Sequence, residues 1–226
     1  MGDRLFYERI AEVWDVRMNR YDLERRLDLI FDTFLPRDLT GCRLLDAGCG
    51  TGHFSRRASA AGATVVSMDL GVALLQRVGE KCDTLRCAAD VTELPFATES
   101  FDVVLSSEVL EHLEYPRSGL LELVRVARRD GHLVLTTPNR LWYPALWIAQ
   151  RLGLRAYHGI ENWVWPRELV GWCREFSVEI ESVRGFHLFP FQLGWTQGLL
   201  RRADGLGVLL QYGMVNVALV GRKRPW

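Results

Sequence analysis

Seven residues, Asp46-Ala47-Gly48-Cys49-Gly50-Thr51-Gly52, limit what this chain can fold into more than any other stretch. They follow the apolar run Arg43-Leu44-Leu45-Asp46 and precede a helix-length segment, Phe54–Ala61. Glycines between a strand and a helix permit a tight turn and let backbone approach a ligand at the strand's carboxyl end. Their spacing is G-x-G-x-G. The dinucleotide fingerprint G-x-G-x-x-G is absent, because His53 stands where its third glycine would be, and no Gly-Lys-Ser/Thr follows as in a phosphate loop.

The rest of the pattern repeats that unit. Short apolar runs recur at Thr64–Asp69, Leu85–Ala88, Val103–Ser106 and Leu133–Thr136, separated by helix-length stretches at Val72–Lys81 and Ser118–Ala127. Strands alternating with helices imply a parallel sheet covered on both faces. Residues 3–35 read as helical, closed by Pro36. After Pro138 the rhythm changes. Residues 139–175 look helical and aromatic, Val178–Val183 and Val215–Val220 read as late strands, and an apolar helix is expected near Leu199–Leu210. The expected fold is α/β and Rossmann-like: a seven-stranded, mostly parallel sheet, the last strand antiparallel, with a helical insertion before it. One domain spans 1–226, divided into a helical lid (1–38), a ligand-binding core (39–138), an acceptor-side region (139–213) and a last strand (214–226).

Composition narrows the class. With 48% hydrophobic and 25% charged residues among 226, the chain is neither disordered nor fibrous. Its 28 basic and 28 acidic side chains cancel, whereas phosphate neutralisation favours a basic excess, so no nucleic-acid partner is expected. The bases are 26 arginines and only Lys81 and Lys223, which reads as the base composition of a GC-rich bacterium. Five cysteines without C-x-x-C spacing, and no run of about 18 apolar residues, suggest free thiols in a cytoplasmic protein without a membrane span. Oligomeric state is left open by the sequence.

Asp69 ends the second strand, where an acidic residue can accept hydrogen bonds from both hydroxyls of a ribose. Asp90-Val91 follows the third strand, a carboxylate beside an apolar residue suited to an adenine edge. Together with the glycine loop these describe a nucleoside pocket. In order, LLDAGCGTG (44–52), VVSMD (65–69), AADVTELPF (88–96), FDVVLSSEVLEHLEYP (101–116) and HLVLTTPNR (132–140) resemble the class I S-adenosylmethionine-dependent methyltransferases. The resemblance is to their ubiquinone-biosynthesis-like O-methyltransferase branch. It implies S-adenosylmethionine as cofactor and S-adenosylhomocysteine as product, with Gly48, Gly50 and Gly52 at the methionine part. It also implies Asp69 at the ribose, Asp90 and Val91 at the adenine, Ser106 beneath the sulfonium, and Asp46, Cys49 and Leu70 beside them.

Glu108-Val109-Leu110-Glu111-His112 is the second candidate site. On one helical turn, Glu108, Glu111 and His112 would share a face. Three readings stand: His112 as general base with Glu111 beside it; a magnesium or manganese site completed by His158, a pattern that resembles some ubiquinone-type and RNA-end methyltransferases; or turn-capping structure. His53, His132 and His187 read as structural. Six of eight tryptophans fall between 139 and 213, packing as core, closing an acceptor pocket or touching a membrane surface; core plus pocket is favoured. Tyr7 and Trp14 would serve the lid. The expected activity is methyl transfer to a small apolar or aromatic acceptor, most simply on oxygen. The alternatives are a non-catalytic S-adenosylmethionine-binding protein and, with less support, a nicotinamide-dependent oxidoreductase.

Overall fold

The computed structural model describes residues 6–152, 159–188, 198, 202 and 204–225. Seven strands form one sheet: β1 (Arg43–Ala47), β2 (Thr64–Asp69), β3 (Leu85–Ala88), β4 (Phe101–Ser107), β5 (Ala127–Pro138), β6 (Val178–Phe186) and β7 (Asn216–Lys223), in the order β3-β2-β1-β4-β5-β7-β6. Only β7 runs against its neighbours, β5 and β6. Seven strands, mostly parallel with the last reversed, match the sequence expectation.

Alternation along the strands explains why both faces are covered. Successive strand side chains point to opposite faces. Leu45, Val104, Leu133 and Leu135 accordingly join one core, with Leu120 and Leu123 of α6 (Pro116–Val126) and Leu169 and Val170 of α8 (Pro166–Glu175). Leu44, Val103, Leu105 and Val134 join the other, with Leu23 of α3 (Arg20–Leu27), Ile30 and Phe31 of a π-helical continuation (Asp28–Phe34), and Phe54 and Ala58 of α4 (His53–Ala60). α5 (Val72–Lys81) follows β2, and two short helices, α1 (Phe6–Arg9) and α2 (Ala11–Arg17), precede α3.

One expectation needs correction and a second is not confirmed. Residues 139–175 are not continuously helical: α7 (Tyr143–Arg151) and α8 flank an extended stretch, described from residue 159, in which Val164 bridges to Asn139. This stretch is stitched to the segment after β4, where Asn162 N donates to the Glu111 carbonyl at 2.6 Å and Asn162 Nδ2 to that of Leu113 at 2.7 Å. The helical insertion before the last strand is not confirmed either. Most of the helix expected near Leu199–Leu210 falls outside the described residues or on residues 205–210, which run as turns and a bend. There Gly185 N of β6 donates to the Gly207 carbonyl at 2.8 Å.

Candidate active site

A cavity of about 420 Å³ opens where the strand order reverses, at the carboxyl ends of β1 and β4. That is the crevice in which open α/β sheets bind ligands, and its size lies within the roughly 300–1,000 Å³ of small-molecule pockets. Its wall has two parts of different construction.

The first part is mostly backbone. Gly48, Cys49, Gly50 and Thr51 line it from the loop, Asp69 and Leu70 from the end of β2, and Ala89, Asp90 and Val91 from the residues after β3. Gly48 adopts φ +77°, and a Cβ there would stand 2.3 Å from Val109 Cγ2. Gly50 adopts φ +52° and an added Cβ would meet nothing within 4 Å, so this peptide faces open space. Asp69 holds the loop in place: its two oxygens accept from Gly50 N and Gly71 N, each at 2.9 Å. A carboxylate oxygen has a second acceptor direction, so both remain able to take a hydroxyl. Burial raises the Asp69 carboxyl, and these amide bonds partly offset the rise.

Three residues expected at the cofactor lie outside the cavity wall. Asp46 is 1% exposed and accepts from Ser55 Oγ at 2.6 Å, and Ser55 in turn accepts from Ser67 Oγ at 2.7 Å. This carboxyl, pushed up to about 7 by burial, anchors α4 beneath the loop and does not touch the cavity. Gly52 lies against Val78 of α5. Ser106 is fully buried, with no hydrogen-bond partner for its hydroxyl among the described residues, while its neighbour Ser107 lines the cavity. A one-residue step along a strand reverses the face.

The second part is built from side chains of distant segments. Glu108 takes φ +57°, so it stands outside the short 3₁₀ turn Leu110–His112 and the expected shared helical face does not form. The Glu108 oxygens accept from Thr136 Oγ1 at 2.9 Å and Asn216 Nδ2 at 3.0 Å. Glu111 accepts from Thr137 Oγ1 at 3.4 Å. The charge of Arg26, from α3, acts on both. Arg26 donates to Asp22 Oδ2 at 2.6 Å and Ser107 Oγ at 3.2 Å, and Asp22 Oδ1 lies 2.9 Å from His187 Nε2. Burial raises the Asp22 carboxyl, but Arg26 and His187 outweigh it and hold it below the usual range. Burial pushes Glu108 and Glu111 the other way, each to about 8, with the charge of Glu111 adding to the shift of Glu108.

His112 Nδ1 lies 3.0 Å from the Ile160 carbonyl. A carbonyl only accepts, so Nδ1 carries the proton and Nε2 presents its lone pair. Nε2 is 3.3 Å from the Tyr7 hydroxyl and 3.8 Å from Glu111 Oε1. The expected metal set is not assembled: among the described residues no three His, Cys, Asp or Glu side chains are placed to hold an ion, and His158 lies outside the described residues. The positive φ of Glu108 turns it off the helical face that it would have shared with Glu111 and His112.

Tyr7 and Trp14 both line the cavity, as do Glu8, Asn19, Asp22 and Arg26 from the same end of the chain. Asp15 of α2 meets the glycine loop through Thr51 Oγ1 at 2.5 Å, His53 Nε2 at 3.0 Å and Lys81 Nζ at 2.5 Å. The sequence reading missed Asp15, Asp22, Arg26, Ser107 and Asn216. The signal available for two of them was the i,i+4 spacing of Asp22 and Arg26 on α3. The aromatic region divides. Trp163 is buried at the cavity wall, Leu146 lines it, and Trp147 on α7 is exposed with Arg151 stacked 4.6 Å over its ring. Trp195 lies outside the described residues, and no helix among the described ones is long and apolar enough to cross a membrane.

The chain belongs to the class I S-adenosylmethionine-dependent methyltransferases and is an enzyme. Residues 45–135 match the family described as a methyltransferase domain. Among curated relatives, the ubiquinone biosynthesis O-methyltransferase of Nitrosococcus oceani is 31% identical over 67% of this chain and 70% of its own length. That of Glaesserella parasuis is 28% identical over 81% of this chain and 86% of its own. In fold, the chain is similar to an S-adenosylmethionine-dependent methyltransferase from Mesorhizobium loti, with TM-score 0.67 and 19% identity over 89% of this chain and all of the other. A second from Methanosarcina mazei gives TM-score 0.65 and 16% identity over 87% and 98%.

The backbone part of the cavity fits the cofactor on chemical grounds. An open glycine peptide, a carboxylate with remaining acceptor directions and an apolar wall from Leu70 to Val91 meet there.

Proposed function

We propose that this enzyme methylates a hydroxyl oxygen of a small acceptor, with His112 as the general base. One observation carries the reading: the Nε2 lone pair of His112 lies at the cavity and is engaged by a hydroxyl, that of Tyr7 at 3.3 Å. The names of the curated relatives, ubiquinone biosynthesis O-methyltransferases, point to the same acceptor atom.

In this reading Gly48, Cys49 and Gly50 hold the methionine end of S-adenosylmethionine, Asp69 the ribose, and Asp90, Val91 and Leu70 the adenine. When bound, that cofactor supplies a methyl group already activated by its sulfonium. The chain's own part is alignment and proton removal. The Ile160 carbonyl fixes the imidazole orientation, and Nε2, 3.8 Å from Glu111 Oε1, takes the acceptor's proton. Residues 1–38 act as a lid and 139–213 supply the acceptor side of a single domain. Tyr7, Trp14, Leu146 and Trp163 give this side of the cavity apolar surface for a small apolar or aromatic acceptor, and Asp22, Arg26, Glu108 and Glu111 line it as well.

His112→Ala tests this directly. Loss of a general base lowers turnover by about 10²–10⁴-fold, while affinity for S-adenosylhomocysteine, measured by calorimetry, stays at the parental value. Parental turnover in the variant, or a product methylated on carbon or nitrogen, overturns the assignment.

A further inference from the structure

The contact between Tyr7 and His112 is peculiar in its geometry. A hydroxyl bond is ordinarily about 2.7–2.8 Å long, and this one is 3.3 Å. The phenol is nevertheless held edge-on to the imidazole, with ring centroids 5.3 Å apart, and edge-on to Trp14 at 4.8 Å. It sits on α1, a helix of four residues with none buried. Isolated helices that short are unstable in water, and elements with few buried contacts open at low cost. Among the ties that hold α1 is Glu8, whose carboxylate accepts from Ala73 N at 3.0 and 3.1 Å at the start of α5. Tyr7 can therefore turn away from His112 while its neighbour keeps the segment docked.

We infer that the Tyr7 hydroxyl occupies the acceptor-hydroxyl position, so that Tyr7 is a built-in competitor which the acceptor displaces from Nε2. The inference rests on the reading of His112 as the base. With no acceptor bound, the phenol supplies a donor to Nε2 of an imidazole whose side chain is 23% exposed. Because the bond is long, an acceptor held at normal distance replaces it favourably. Tyr7 thereby sets specificity as well: what displaces it must present a hydroxyl to Nε2 and a body that fits beside Trp14.

The probe is p-cresol, the tyrosine side chain as a free molecule. In Tyr7→Ala the vacated volume should admit it with its hydroxyl at Nε2. With S-adenosylmethionine present, the phenolic O–H proton then passes to Nε2 and the methyl group moves from sulfur to oxygen, giving the methyl ether and S-adenosylhomocysteine. The expected result is p-cresol methylation by Tyr7→Ala well above that of the parent. Tyr7→Phe, which keeps the ring and removes only the competing hydroxyl, should bind p-cresol about 2- to 10-fold tighter than the parent in the S-adenosylhomocysteine complex.

If Tyr7→Ala and the parent bind S-adenosylhomocysteine but treat p-cresol alike, including when neither methylates it, the inference is overturned. The methyl-transfer reading survives that result. Turnover lost in Tyr7→Phe with KM unchanged also overturns it, since Tyr7 would then orient the imidazole and not compete for it. Failure of the parent to bind S-adenosylhomocysteine removes the underlying reading and this one with it. Should Tyr7→Ala alone fail to fold, the binding of p-cresol to Tyr7→Phe decides.

Discussion

The two parts of the cavity differ in how far along the chain their residues come from. The part proposed for the cofactor is assembled from the carboxyl ends of β1 and β2 and the residues after β3, and much of its wall is peptide. The part proposed for the acceptor brings Arg26 to Ser107, separated by 81 positions, Asn216 to Glu108, separated by 108, and His187 to Asp22, separated by 165. Its wall is side chain, much of it ionisable. The first part depends on local backbone geometry; the second depends on the whole fold being in place. Perturbations should therefore separate them, one losing ligand and the other losing stability.

The largest separation is expected at Arg26. Its guanidinium is the cation that holds Asp22 ionised and faces Glu108 and Glu111. Removing one partner of a fully buried ion pair costs about 3–5 kcal/mol, and this pair, whose side chains keep 15% and 22% exposure, should approach the lower end of that range. Arg26→Met, which keeps the apolar stem length, should lose stability of that order in urea denaturation. Binding of S-adenosylhomocysteine to the folded fraction should stay intact. A variant with parental stability and weakened cofactor binding would show that the two parts are one unit, and the comparison would fail.

That division also explains what could be read from the chain alone. The course of Gly48 to Thr51, Asp69 and Asp90 along the cavity was legible because a strand followed by glycine-rich sequence constrains backbone within a few residues. Asp46, Gly52 and Ser106 lie off the cavity wall, because a motif fixes where the backbone runs and not which side of it meets the cavity. Glu108, Glu111 and His112 were found as a group but given the wrong geometry. Nothing local announces that Glu108 adopts φ +57°, an uncommon state for a residue bearing a Cβ. Arg26 was missed because a charged side chain on an N-terminal helix ordinarily faces solvent, and here it reaches inward to Ser107, 81 positions away.

A smaller effect, on the other side of the comparison, is expected at Asp69. Asp69→Ala removes the charge-assisted bonds to Gly50 N and Gly71 N and the acceptor for a ribose. Hydrogen bonds to a charged group contribute about 1.5–3 kcal/mol, so the dissociation constant for S-adenosylhomocysteine should rise by about one to two powers of ten. Thermal stability without ligand should change less than in Arg26→Met. If Asp69→Ala binds as tightly as the parent, the ribose is held elsewhere.

The smallest effect concerns Asp15, where the N-terminal helices cross onto the glycine loop and the two parts touch. Burial pushes its carboxyl up, but the bonds from Lys81, Thr51 and His53 outweigh that and bring it down to about 2 from 3.8. A carboxyl depressed in the folded state stabilises it above the unfolded value. The contribution of Asp15 should thus be complete above about pH 4 and vanish as pH falls through about 2. Its side chain remains 28% exposed, so solvent screens the pair with Lys81, and a contribution of about 0.2–1 kcal/mol is expected at neutral pH. Asp15→Ala should lose that much in urea denaturation at pH 7, and the difference from the parent should shrink as the solution is acidified through that window. Hydrogen exchange in residues 6–18 should quicken in the variant while that of β1 and β4 does not. A difference that grows on acidification would mean that Asp15 is charged against its surroundings instead of latched by them. The N-terminal helices would then owe their place over the cavity to Glu8 and to the packing of Tyr7 and Trp14.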